Sequence, residues 1–90
     1  MLSHKDFELA TELVDKIINN VEDSKIEDEI ISNISDKTDD LLRRNYLRHL
    51  NALFLNVILN RVNELGKPAE EKAFKARKII YNMLKEQQVA

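Results

Sequence analysis

Leu50-Asn51-Ala52-Leu53-Phe54-Leu55-Asn56-Val57-Ile58-Leu59 forms the apolar centre of a segment, Asp40 to Leu65, that contains neither Gly nor Pro. Its apolar residues return every three to four positions, the spacing of one helix face. On a helical wheel Tyr46, Leu47, Leu50, Leu53, Phe54, Val57, Ile58 and Leu65 fill an arc of roughly 140°, already a full core-facing stripe. Leu55, Leu59 and Val62 widen that arc to roughly 240°, so the helix needs cover from two sides. Either it stands centrally in its own bundle, or part of its surface meets a second chain.

Downstream, the only Gly and the only Pro occur together in Gly66-Lys67-Pro68. Gly suits a left-handed position past a helix end, and Pro suits the first turn of the next helix. In that last helix Glu70 and Glu71 sit where the macrodipole favours anions. Ala73, Ala76, Ile80 and Met83 line its inner face, with Phe74, Ile79, Tyr81 and Leu84 beside them. Gln87–Ala90 should fray.

Upstream, Ser3 with Asp6 three residues on reads as an N-cap, and Leu2 with Phe7 has hydrophobic-staple spacing. Phe7, Ala10, Val14, Ile17 and Val21 then repeat at helical steps. Ser24-Lys25-Ile26-Glu27 reads as a capping box opening a second helix with the narrow stripe Ile26, Ile30, Ile31 and Ile34. The capping residues of Ser35–Asp40 predict a break before the central helix. The competing reading is one helix from Lys25 to Leu65. The expected fold is therefore all-α: a small antiparallel bundle of four helices, or three if the second and third are continuous. Its core should include Phe7, Val14, Ile17, Leu50, Leu53, Phe54, Val57, Ile80 and Met83.

Ninety residues make one modest domain. The absence of Cys excludes disulfides, thiolate metal sites and thiol catalysis. No signal pattern opens the chain, and no apolar run reaches the roughly 18 residues of a membrane span, so a cytosolic chain without a membrane partner is expected. Nine Ile and nine Asn beside little Gly and Pro resemble the usage of AT-rich bacterial or phage genomes. In size and in its four short helices the chain loosely resembles bacteriocin immunity proteins, with no shared motif.

The net charge of −2 is unevenly spread. Residues 1–40 hold 12 Asp/Glu against 4 Lys/Arg, and residues 41–90 hold 4 against 10. Packing one half on the other would neutralise both. Otherwise the surface has two faces of opposite sign, one suited to an acidic partner or nucleic acid.

Chemistry-bearing motifs are few. His4 and His49 have no second His at metal-ligand spacing; of the acidic clusters Glu27-Asp28-Glu29 and Asp36, Asp39 and Asp40, the second lacks the pattern of a calcium loop and suits a helix start. No Ser or Thr lies in a nucleophile motif. No cofactor, metal or enzymatic activity is expected. What stands out is surface. Leu55, Leu59 and Val62 form an apolar strip, beside an uncharged polar row (Asn45, His49, Ala52, Asn56, Asn60 and Asn63). Asn56, Asn60 and Asn63 would supply a hydrogen-bonding seam with a protein partner, or with a second copy in a homodimer. The alternative is a nucleic-acid-associated regulator, with Arg43, Arg44, Arg48, Lys72, Lys75, Lys78 and Lys85 on phosphates. Arg61 shares the wheel angle of Phe54 and should either snorkel past Leu65, the favoured reading, or pair with a carboxylate from the acidic half.

Overall fold

The computed structural model describes residues 2–88, with side chains through Glu86. Five helices carry it: α1 (His4–Asn20), α2 (Ile26–Ile34), α3 (Asp40–Asn60), the single turn α4 (Val62–Leu65) and α5 (Lys67–Gln88). No strand occurs among the described residues, so the all-α bundle predicted from periodicity is the fold. Fraying is expected over Gln87–Ala90; α5 instead continues through Gln87 and Gln88, and Val89 and Ala90 lie outside the described residues.

α1 begins as read. The Ser3 hydroxyl accepts the Asp6 N–H at 3.1 Å, and the Asp6 carboxylate accepts the Ser3 N–H at 2.9 Å, closing a reciprocal cap. α2 does not begin as read. Ser24 falls inside a 3-10 turn, Asp23–Lys25, and caps nothing. The turn places Lys25, not Ser24, at the start of α2, and its backbone bonds, Lys25 N–H to Glu22 O and Ile26 N–H to Asp23 O, lead the chain into the helix without a side-chain cap. The second and third helices are separate. Ser35 turns back onto the Ser32 carbonyl, and Asp39 caps α3 by accepting the Leu42 N–H at 3.0 Å.

The long central helix is shorter than its periodicity suggested. It stops at Asn60, and α4 restarts after Arg61, whose backbone (φ −124, ψ 2) leaves the helical region. Asn60 and Asn63, both poor helix formers, flank the break. Arg61 Nη1 lies 3.8 Å from Asp15 Oδ1 of α1, so it pairs with the acidic half instead of snorkelling past Leu65. Gly66 then joins α4 to α5 at φ +89, ψ 172. That is an extended conformation open essentially only to glycine, not the left-handed helical cap expected from sequence. A Cβ there would meet only Pro68 Cδ at 3.7 Å, an ordinary contact. Gly66→Ala should therefore destabilise by about 1–3 kcal/mol through backbone conformation alone. Thermal melts should show the loss, and an unchanged melting temperature would mean that the turn relaxes freely.

α3 and α5 make the most extensive helix pair, and α1 covers a second side of α3. Their shared core is Tyr46, Leu47, Leu50, Phe54 and Val57 of α3, Ala69, Ala73, Ala76 and Ile80 of α5, and Ala10, Leu13, Val14, Ile17 and Ile18 of α1, all buried. α2 adds Ile26 and Ile30. The alanines of α5 give little volume, which lets its axis lie close to α3. Leu53 and Met83, predicted as core, are half-buried against it. Phe7 is not core: it is 42% exposed, because it lies in the first turn of α1, where its ring stands edge-on to His49 at 4.8 Å.

Lys37 is the one charged side chain buried among the described residues. Its Nζ lies 3.7 Å from both Asp6 and Asp36, and 4.3 Å from the centre of the Tyr46 ring. The Tyr46 hydroxyl donates to Asn33 Oδ1, and Arg43 Nε and Nη2 both donate to the Lys37 carbonyl, at 3.0 and 2.7 Å. This cluster clamps the α2–α3 connection onto the start of α1. The Ser3 N–H, aided by Lys37, holds the Asp6 carboxyl below its ordinary range. Burial, and secondly the charges of Asp6 and Asp36, push the Tyr46 phenol up to about 12.

Candidate protein-binding surface

Arg77 Nε donates to Asn51 Oδ1 at 2.9 Å. Asn51 precedes the end of α3 by about as many residues as Arg77 follows the start of α5, so the two helices run antiparallel. The bond also fixes which flank of each helix faces the other. Each residue advances about 100° and 1.5 Å along a helix. From Asn51, the flank of α3 beside α5 continues outward through Arg44, Leu55, Arg48 and Leu59. From Arg77, the matching flank of α5 continues through Glu70, Tyr81, Phe74 and Lys85, with Lys78 beyond. Counting rise from the same bond sets Arg48 level with Tyr81, and Leu55 level with Phe74, each within about 2 Å.

Phe74 is 53% exposed, Tyr81 64%, Leu59 68% and, two helical turns before Arg48, Leu41 66%. Leu55 is half-buried. Six large apolar side chains are exposed among the described residues, and these four share one face. The other two lie elsewhere: Phe7 on α1, and Ile31 on α2 in an open groove of about 490 Å³ with Ile34, Ile79 and Met83.

The sequence-derived strip is thus divided. Leu55 and Leu59 belong to the α3–α5 face. Val62 is half-buried in the separate turn α4, so its wheel position no longer follows theirs. Asn56, Asn60 and Asn63 are exposed, with Asn56 and Asn60 on the flank of α3 turned toward α1, the side marked by His49 against Phe7. Phe74 and Tyr81 were missed as surface residues, although their seven-residue spacing together with Lys78 and Lys85 is the available signal.

The cations are divided too. Arg43 is committed to the Lys37 carbonyl and to Asp40, 3.7 Å away, and is not a surface cation in waiting. Lys72 is half-buried and Lys75 exposed, on the flank of α5 away from α3. Arg44, Arg48, Lys78 and Lys85 lie on or beside the apolar face. Among the described residues none of these four, nor Arg77, has a carboxylate within 4.0 Å. Among the described residues only two ion pairs join the acidic half to the basic half: Arg61–Asp15 and the local pair Arg43–Asp40. Direct pairing therefore does little to neutralise the two halves.

His4 pairs with Glu8 at 2.8 Å within α1, and no three His, Asp or Glu side chains among the described residues are grouped to hold a metal. No helix of the described residues is long and apolar enough to cross a membrane. Compared with family models, with curated proteins and with solved structures, the chain matches none, and the resemblance in size to immunity proteins gains no support.

Proposed function

We propose that this protein acts by binding another protein through the face shared by α3 and α5, as a small adaptor, inhibitor or regulator. One observation carries the reading: Leu41, Leu59, Phe74 and Tyr81 are four of the six large apolar side chains exposed among the described residues, and their helical positions set them along one face. Small proteins use such patches for association or avoid them. Full burial of each such side chain contributes on the order of 1.5–3 kcal/mol, enough in sum to offset much of the cost of association.

A photo-crosslinking residue at position 59 or 74, with one at exposed position 28 on α2 as control, tests this in the cells of origin. A protein adduct is expected from 59 and 74 and not from 28. Adding Leu59→Glu should abolish the adduct at 74 while leaving the melting temperature within about 1 °C, since an exposed position carries little stability. An adduct of twice the chain mass would make the partner a second copy. Equal adducts from 28, none from 59 or 74, or an adduct that nuclease removes would overturn the proposal.

A further inference from the structure

The surface on which the proposed function rests is not simply apolar. Arg44 and Arg48 rise on its α3 side, Lys78 and Lys85 on its α5 side, and Arg77 stands in the seam between them. Glu70, at the far end, is the one carboxylate among the positions placed along this face. A protein of net charge −2 has many carboxylates to spend on these cations, yet none within the described residues reaches them. The acidic side chains cluster instead on α1, on α2 and around the α2–α3 connection.

We infer that the α3–α5 face receives an amphipathic helix of a partner protein whose flanks are acidic. Three considerations select this occupant. First, two antiparallel helices leave a shallow groove, and a third helix laid along it presents side chains at the spacing of Leu59, Leu55, Phe74 and Tyr81. The run from Leu41 to Leu59 spans about 27 Å, the length of a helix of about 18 residues. Second, charge complementarity requires Asp or Glu beside the apolar anchors of the incoming helix, because like charges at those positions would repel. Third, the face fits a second copy poorly. A two-fold contact is self-complementary, so it would bring the same cations against one another, while its mate on the acidic face would form an open, non-closing contact.

Nucleic acid is the other polyanion. Leu55, Leu59 and Leu41 offer nothing to a phosphate backbone, and the chain as a whole repels polyanions at long range through its acidic half. The observations therefore favour the acidic helix.

Three probes test the inference on the intact chain. One is an 18-residue helical peptide with Leu at core positions and Glu on both flanks. The second is its twin with Lys in place of Glu, and the third is a single-stranded oligonucleotide of mixed sequence. Amide shifts in nitrogen-15 spectra locate binding, and titrations give Kd. The Glu peptide should shift residues around Arg48, Leu55, Phe74, Arg77 and Tyr81, and bind at least tenfold more tightly than the Lys twin. Its affinity should weaken by no more than about tenfold between 50 and 500 mM salt, as apolar anchors persist while exposed pairs are screened. Reversing two exposed cations, in R48E/K78E, should invert the preference between the peptides, with the fold retained by circular dichroism.

Equal binding of both peptides at this face would overturn the acidic-partner inference and leave the apolar binding surface standing. Peptide shifts confined to the Ile31–Met83 groove, or absent altogether, would also overturn it. So would oligonucleotide binding at this face that is tighter than peptide binding. A phosphate-driven contact through four cations would be marked by a nearly thousandfold loss over the same salt range, at about 0.7 decade per contact. Concentration-dependent shifts of the same residues without any probe would instead assign the face to a second copy.

Discussion

Phe54→Ala should lower unfolding stability by about 3–5 kcal/mol. The ring is fully buried, on the side of α3 that faces both α1 and α5, so no single helix can move to close the gap. Proteins of this kind have about 0.05–0.15 kcal/mol of stability per residue, so the loss is at least about a fifth of the total. Urea titration followed by circular dichroism should show a much lower midpoint with an unchanged slope, since the surface exposed on unfolding stays the same. A change below about 1 kcal/mol would show that the site collapses around alanine, and the packing described for α3 would then be wrong.

The Lys37 cluster yields the second large effect, and it is asymmetric. Asp6→Ala removes the carboxylate half of the α1 cap and leaves a buried ammonium with only the exposed Asp36 nearby, at an expected cost of about 2–4 kcal/mol. Lys37→Met keeps the stem that covers Tyr46 and removes the buried charge, so it should cost less than about 1 kcal/mol or stabilise. The wild-type pH dependence follows from the same group. The Asp6 carboxyl lies below its ordinary range in the folded chain, so its contribution is complete above the unfolded value and is lost as pH falls through the folded one. Melting temperatures of wild type and Asp6→Asn should therefore converge as pH falls through and below the ordinary carboxylate range. At the alkaline end Tyr46 stays protonated when folded, and stability should fall as pH rises from about 10 to 12. Equal losses for Asp6→Ala and Lys37→Met would show that the two residues act merely as packing.

Much of this architecture was readable because local chemistry and tertiary packing agree. The Ser3–Asp6 cap, the Asp39 cap before α3 and the position of the Gly66 turn each follow from a few adjacent residues. Errors arose where distant groups decide. Nothing around Lys37 in sequence distinguishes it from an exposed lysine among aspartates; its burial depends on Tyr46 and on the start of α1. The pairing of Arg61 involves Asp15, 46 positions away. Phe7 fits the apolar repeat of α1, but a repeat does not show where the neighbouring helix runs out. The candidate surface was half legible. The excess of leucine on α3 pointed to it, whereas Phe74 and Tyr81 share an angular margin with the α5 core, and only the Arg77–Asn51 bond shows on which side α3 leaves them uncovered.

α2 is nine residues long and sinks only Ile26 and Ile30 into the core. At its start it lacks a side-chain cap, and at its end it is held through the Lys37 cluster. Such an element can lift while α1, α3 and α5 stay assembled, because their contacts with one another do not pass through it. Its amides should then exchange with solvent hydrogen through a local opening far cheaper than global unfolding, while those at the centre of α3 wait for the whole chain to come apart.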